Sequence, residues 1–368
     1  MLSDRPAPPL SRGEIVAWLR EADASRLAQL HAWADALRRY FVGDEVHLRG
    51  LVEISNHCAR QCGYCGLRAG NAAIARYRMT ADEIAACARQ ARALGYGTVV
   101  LQAGEDPGLG ASFVAGVVRQ VKRETGLAVT LSLGERCEDE LELWREAGAD
   151  RYLLRFETSD AALYRRIHPP APGEAAPSDR VALLRELRRL GYQIGGGVMV
   201  GIPGQSHESL ADDVLLFAAL DLDMIGVGPY LAHPATPLGR GEWSTSLGPT
   251  DQVRATVESA CTVVALARIA CPEANIPATT ALQALDPAGG RERALACGAN
   301  VVMPNLTPLA HRVHYQIYPG KPCLDEAPEV CHGCLAARIA RLGRVPGRGA
   351  GDRVRQRAPR VGSREVMS

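Results

Sequence analysis

An α/β chain folded as a (β/α)8 barrel is predicted by three observations: eight short apolar runs, amphipathic helical patterns between them, and reactive residue types crowded where the runs end. The runs are 46–54, 98–102, 128–133, 151–157, 193–200, 224–227, 275–279 and 301–303. Strands alternating with helices over short links favour a parallel sheet, and barrels of this kind collect their reactive groups at the C-terminal ends of the strands. Ahead of the first run, 11–40 is helical in pattern and forms an N-terminal extension, 1–44, to a barrel spanning 45–310.

The first run leads into a loop holding Cys58, Cys62 and Cys65, four and then three residues apart, with Tyr64 just before the last. Thiolates are soft ligands that select zinc, copper(I) or iron–sulfur clusters. A cubane held by three of them leaves one iron open to substrate. Structural zinc wants a fourth ligand, and only His57 is close. The following helical pattern, 80–94, opens with Thr80 and Glu83, the spacing of a capping box.

Run two ends in Gln102-Ala103-Gly104-Glu105-Asp106-Pro107, where small residues let backbone approach a ligand and carboxylates can meet an ammonium group. Thr130 and Ser132 share one face of run three. In run four, period-two alternation sets Arg151, Leu153, Arg155 and Glu157 on one face and Tyr152, Leu154 and Phe156 on the other. The apolar face should meet the helices. Arg155 and Glu157 then enter the barrel mouth, either as an ion pair closing the barrel or as a site for something charged. Run five carries Gly195-Gly196-Gly197, able to bring backbone close to a nucleoside but without the dinucleotide fingerprint.

Beyond run eight, 311–341 is expected to close the barrel and holds a second trio, Cys323, Cys331 and Cys334, which could bind another iron–sulfur cluster, or zinc with His332. Isolated Cys87, Cys137, Cys261, Cys271 and Cys297 read as packing residues. The last segment, 342–368, is rich in Arg, Gly and Pro, including Arg344, Arg348, Arg353, Arg355, Arg357 and Arg360, and reads as a flexible basic tail.

Composition points to a soluble enzyme in a reducing compartment. The 368 residues are 47% hydrophobic and carry a net charge of +1, so no global field calls for nucleic acid or a membrane surface. No apolar stretch approaches a bilayer span, the first residues lack a signal-peptide core, and 11 scattered cysteines are no disulfide framework. A cytoplasmic location is expected.

The three-cysteine loop with its aromatic residue resembles the signature of the radical S-adenosylmethionine (radical SAM) superfamily. Longer stretches narrow the resemblance to the HydE-type maturases of [FeFe]-hydrogenase: YRMT at 77–80, VLQAGEDP at 100–107, TLSLGE at 130–135, DRYLLRFET at 150–158, NIPATT at 275–280, MPN at 303–305 and YQIYPGK at 315–321. The likeness covers roughly 45–345. One departure is Ala103, which stands where the family usually has the first glycine of its methionine-binding motif.

This resemblance implies that Cys58, Cys62 and Cys65 hold a [4Fe-4S] cluster whose open iron chelates S-adenosylmethionine. It implies that Tyr64, Gln102 and Gly104 contact the cofactor, that Glu157 binds the ribose, and that Ser132 and Arg180 fix the methionine end. Met224 would pack on the cofactor, or is an ordinary inward-facing barrel residue. Substrate would sit deeper, against Arg155, Thr279, Thr280, Met303 and Tyr315, and in this family is regarded as a cysteine-bound iron carbonyl cyanide made by the sibling tyrosine-cleaving maturase. Other partners implied are a GTPase scaffold and a reductant such as ferredoxin or flavodoxin. A carbon-skeleton mutase of the methylornithine synthase type shares the barrel. Sulfur insertion of the biotin synthase type is disfavoured because runs three to five contain no cysteine. A noncatalytic iron–sulfur electron carrier would need neither Arg155 nor Glu157 in the mouth.

Overall fold

The computed structural model describes residues 10–353 except 171, 172, 175 and 244. Two helices precede the sheet. Ser11 opens Arg12–Leu19 through a reciprocal capping box with Glu14, and the Asp23 carboxylate caps Ala24–Val42. The first packs outside the barrel against the helices His207–Ala219 and Val257–Ala270 and the second against Val257–Ala270, and Arg12 reaches Asp212 at 2.6 Å.

The strands are β1 (Glu45–Ser55), β2 (Thr98–Ala103), β3 (Ala128–Ser132), β4 (Arg151–Leu153), β5 (Gln193–Val200), β6 (Met224–Pro229) and β7 (Val301–Val302). They run parallel in the order β6-β5-β4-β3-β2-β1-β7. The expected seventh strand at 275–279 is reduced to two single bridges, Asn275 to Met224 of β6 and Pro277 to Val301 of β7, which close the ring between them. Pro277 has no N–H to offer a ladder, so the segment cannot extend as a regular strand. Run four is likewise shorter than expected, because Glu157 adopts the left-handed conformation at φ 64° and returns to the sheet only as a bridge to Val198.

Alternation along β4 and its continuation holds in side-chain placement. Tyr152, Leu154 and Phe156 are buried in the core under the helices, while Leu153, Arg155 and Glu157 face the central cavity. Thr80 and Glu83 form the expected capping box on the helix Ala81–Ala93. Of the isolated cysteines, Cys87, Cys261, Cys271 and Cys297 are buried, whereas Cys137 is exposed at the N-cap of Glu138–Glu146.

The basic tail is not free over its described part. Residues Val345–Pro346 form β8, which pairs in parallel with the start of β1, and the chain then crosses beneath the barrel. Buried Arg344 donates to the Ala299 carbonyl at 2.8 Å. The Ala350 carbonyl accepts from Thr98 Oγ1 and Arg151 Nη2 at 2.9 Å each, the Gly351 carbonyl accepts from Arg49 Nη2 at 2.9 Å and Asn275 Nδ2 at 3.0 Å, and Asp352 pairs with Arg151. Of the tail arginines expected to be solvated, Arg344 is buried, Arg353 pairs with Asp221 at 2.6 Å and Arg348 is exposed, while the strap's backbone provides the acceptors that buried Arg49 and Arg151 need at the barrel floor. Arg355, Arg357 and Arg360 lie outside the described residues. Among the described residues, no helix is long and apolar enough to cross a membrane.

Arg151 is fully buried, so removing its carboxylate partner should cost more than a surface ion pair would. Asp352→Ala is expected to lower stability by about 1–3 kcal/mol. A shift of the denaturant unfolding midpoint at unchanged slope checks it.

Candidate active site

The inward faces of the strands and the segments above them line a cavity of about 320 Å3, running from the cysteine loop at the mouth to Arg49 and Asn275 at the floor. Cys58, Cys62 and Cys65 all border it, at the C-terminal end of β1. The loop that carries them is clasped on two sides. On one, Ala59 N donates to the Glu105 carbonyl at 2.8 Å and Gly104 N to the Ser55 carbonyl at 3.2 Å. A Cβ at Gly104 would fall 2.2 Å from the His57 carbonyl oxygen, so only glycine allows the β2 loop to lie this close. On the other side, Gly66 N donates to the Ile317 carbonyl at 3.0 Å and Asn56 Nδ2 to the His314 carbonyl at 2.8 Å.

Arg60, between the first two cysteines, anchors the loop electrostatically. Its guanidinium reaches Glu105 at 2.5 Å, Glu135 at 2.5 Å and Glu174 at 2.7 Å. Burial, and then the neighbouring thiols, push Cys65 up to about 12 and Cys62 well above the ordinary thiol value. The bare site thus disfavours three free thiolates, and a bound cationic cluster supplies the counter-charge that ionising them requires. Three cysteines bordering one cavity, Cys62 buried and Cys58 and Cys65 half-buried, on a loop packed tightly against Gly104, fit such a group.

Tyr64 packs against a second apolar cluster built by Leu163, Ile167, Met199, Ile202, Tyr230 and Leu238, and also borders the cavity. Ser132, Gln102, Glu157 and Arg180 line the same upper part. Arg180 stands at the start of the helix Arg180–Arg189, donating to Glu135 at 2.7 Å and to the Arg155 carbonyl at 2.8 Å, with His168 Nε2 at 2.5 Å. Arg155 Nη2 and Glu157 Oε2 form an ion pair at 3.1 Å, and no hydrogen bond reaches that oxygen. The Gln102 amide points to the Tyr315 hydroxyl, 3.1 Å away. Met224 does not reach the mouth: it begins β6 at the barrel floor, where its Sδ lies 3.0 Å from Arg49 Nη1. Thr279, Thr280, Met303 and Tyr315 line the wall opposite, with Thr279 Oγ1 bonded to the Val227 carbonyl at 3.0 Å and Thr280 Oγ1 to the Tyr318 hydroxyl at 2.5 Å.

Sequence reasoning missed Glu53, Lys321 and Arg60. Glu53 and Lys321 form a buried ion pair in the cavity wall. A lone carboxylate inside the apolar run of β1 was the available signal for the first, and an arginine between two ligand cysteines for the last.

The second cysteine group is rearranged. Cys323, Glu326 and Cys331 bring one ligand atom each within 4.8 Å of one another, whereas Cys334 is exposed one turn further along the helix Pro328–Arg341. His332 is turned to Tyr96, with Nδ1 3.2 Å from its hydroxyl.

A parallel barrel with a three-cysteine loop at the end of its first strand, opening on a cavity lined by both arginines and carboxylates, defines an enzyme of the radical SAM class. The Radical SAM superfamily model matches residues 52–217. The chain is 46% identical over 88% of its length to the [FeFe] hydrogenase maturase subunit HydE of Thermotoga maritima, covering 88% of that protein, and 29% identical over 80% to 3-methylornithine synthase of Methanosarcina acetivorans, covering 79% of it. Among solved structures, methylornithine synthase (PylB) superposes with a TM-score of 0.77 at 26% identity, covering 93% of this chain and 95% of that one. HydG, a maturase of the [FeFe]-hydrogenase, shares the fold with a TM-score of 0.73 at 17% identity, covering 92% of this chain and 73% of that one. The chain belongs to the radical SAM superfamily and, within it, to the HydE-type family. Membership implies a [4Fe-4S] cluster and S-adenosylmethionine.

Glu157 is carried by a loop that a buried acid secures. Asp213 accepts from Ser159 N at 2.5 Å and Ser159 Oγ at 2.6 Å, and burial raises its pKa to about 7. With the folded value above the unfolded one near 4, the contribution of Asp213 is present at low pH and is lost as pH rises toward about 7. Asp213→Asn should therefore gain on wild type between about pH 4 and pH 7, by on the order of a few kcal/mol, and run parallel to it above. Denaturant titrations of both proteins at pH 5, 6, 7 and 8 give the comparison.

Proposed function

We propose that the chain acts in [FeFe]-hydrogenase maturation, cleaving S-adenosylmethionine reductively to act on a cysteine-bound iron carbonyl cyanide bound for the diiron subcluster. The observation that carries this reading is the 46% identity to the Thermotoga maritima HydE maturase across nearly the whole chain. When bound, the [4Fe-4S] cluster on Cys58, Cys62 and Cys65 with S-adenosylmethionine supplies one-electron cleavage of a sulfonium bond and a 5′-deoxyadenosyl radical. The protein's part is to orient and to exclude water.

In this reading the Gly104 backbone and Ser132 meet the methionine end, with Arg180 setting the charge there through Glu135. Glu157, paired with Arg155, meets the ribose, and Tyr64 and Met199 flank the adenine. Arg155, Thr279, Thr280, Met303 and Tyr315 receive the substrate. A guanidinium beside hydroxyls suits a carboxylate, the one group that a cysteine-bound complex presents irrespective of its metal. The Cys323, Glu326 and Cys331 group is proposed as a second metal site outside the barrel, for a cluster or a single ion. The GTPase scaffold, the sibling maturase and a ferredoxin or flavodoxin reductant are the proposed partners, in the cytoplasm.

A mutase like methylornithine synthase is the second reading, favoured by the 0.77 TM-score and by an Arg155 pocket that would take an amino acid equally well. Sulfur insertion has less support: among the described residues, the cavity is bordered by no cysteine besides the loop's three.

Anaerobically reconstituted, reduced wild type is expected to release 5′-deoxyadenosine from S-adenosylmethionine, and Cys62→Ala to release none. Arg155→Ala should keep cleavage but lose turnover of the iron carbonyl cyanide by about 100-fold, in line with about 3 kcal/mol for an unpartnered buried carboxylate. Turnover of the iron complex by Arg155→Ala at the wild-type rate would remove the pocket assignment. Turnover of lysine in place of the iron complex would favour the mutase.

A further inference from the structure

Glu53 and Lys321, 268 residues apart, meet in the wall of the cavity, 1% and 8% exposed. Glu53 points inward from β1 and also accepts from Asn305 Nδ2 at 3.0 Å. Its backbone is fixed by Thr307 Oγ1 at 2.8 Å on the N–H and by the Tyr77 hydroxyl at 2.8 Å on the carbonyl. Lys321 ends the segment that begins at His314 and crosses the barrel mouth, and donates to the Tyr315 carbonyl at 3.0 Å. Its ammonium also lies over the Tyr315 ring, 5.0 Å from the centroid, so one cation fixes both the backbone and the ring of a single tyrosine. The Tyr315 oxygen accepts from Gln102, and among the described residues its own O–H meets no acceptor, although the residue is 1% exposed. A buried hydroxyl proton without a partner costs free energy unless a ligand takes it. Tyr315 borders the cavity beside Gln102 and Cys65, so that ligand is whatever the cavity binds.

We propose that Lys321, locked by Glu53, is a positioning residue: it sets the Tyr315 ring so that the phenol donates a hydrogen bond to an acceptor atom of the cavity-bound substrate. Such an acceptor is a carboxylate, carbonyl or cyanide end. Burying an ion pair is a poor way to gain stability alone, since two charges must be desolvated, and its use here is geometric. The proposal rests on the reading of the cavity as the substrate site.

The test counts iron carbonyl cyanide consumed per 5′-deoxyadenosine formed. Tyr315→Phe and Lys321→Met are each expected to lower that ratio about tenfold, Lys321→Arg to restore most of it, and the Tyr315→Phe/Lys321→Met double variant to do no worse than Tyr315→Phe alone, because the lysine acts through the tyrosine. Where Lys321→Met fails to fold around an unpaired Glu53, Glu53→Gln/Lys321→Met removes both charges and should show the same loss. Full coupling in either lysine variant, or losses that multiply in the double variant, overturns the proposal. A second readout needs no substrate. With 3-fluorotyrosine at position 315 of the reconstituted oxidised protein, the fluorine resonance should move in Lys321→Met and return in Lys321→Arg, and an unmoved resonance overturns the positioning role. A moved resonance in a protein that consumes no iron complex upholds the positioning and counts instead against the proposed substrate.

Discussion

Everything at the mouth depends on how a ten-residue loop of cysteines, glycines and one arginine is kept from relaxing. A loop at a strand end has no helix or ladder of its own, and its three thiols, one buried and two half-buried, would drift apart if nothing opposed that. Arg60 opposes it from inside, by gathering carboxylates from the loops after β2 and β3 onto the same guanidinium. A buried cation with several carboxylates tolerates no large displacement, since any shift leaves a charge without its partner. The loops holding Glu105 and Glu135 become part of the same rigid unit, and Arg180 joins it by sharing Glu135.

That unit is built by parts far apart in the chain. The segment from His314 to Lys321 covers the loop from the opposite side, and its far end is tied to β1 by Glu53. The loop is therefore held between the β2 turn and a strip of chain more than 250 residues later, both referred back to β1. The barrel contributes stiffness; the polar contacts across its top contribute position. Walls without side chains at Gly226 and Gly228 help leave the interior open enough for ligands instead of filling it with packed layers.

Much of this was legible in the sequence because it follows local periods. The alternation of Tyr152, Leu154 and Phe156 against Leu153, Arg155 and Glu157 needs only the pleat of a strand, and it placed the ion pair in the mouth correctly. The cysteine spacing and the Thr80 capping box are equally local. What stayed hidden depends on distant partners. The 342–353 tail looks solvated from its Arg, Gly and Pro content, yet its hold on the barrel comes from backbone carbonyls at Ala350 and Gly351, which composition does not encode. Pro277 cuts the strand expected at 275–279 to single bridges by removing the ladder, and spacing groups Cys334 with Cys323 and Cys331 although Glu326 is the nearer ligand. For Met224, which reads either as packing on the cofactor or as an ordinary inward-facing barrel residue, the register of β6 gives a place at the barrel floor beside Arg49.

The strap beneath the barrel bears on traffic as well as on stability. By giving Arg49, Arg151 and Asn275 their acceptors, it turns a tube into a well with one opening, and that opening is where the cysteine loop sits. Molecules in a well are stacked in the order they arrive. Under the proposed function, a substrate against Arg155 and Thr279 would have to enter before a cofactor seated above it and leave after the cofactor's fragments, so the order of binding would be a property of the strap at 345–353.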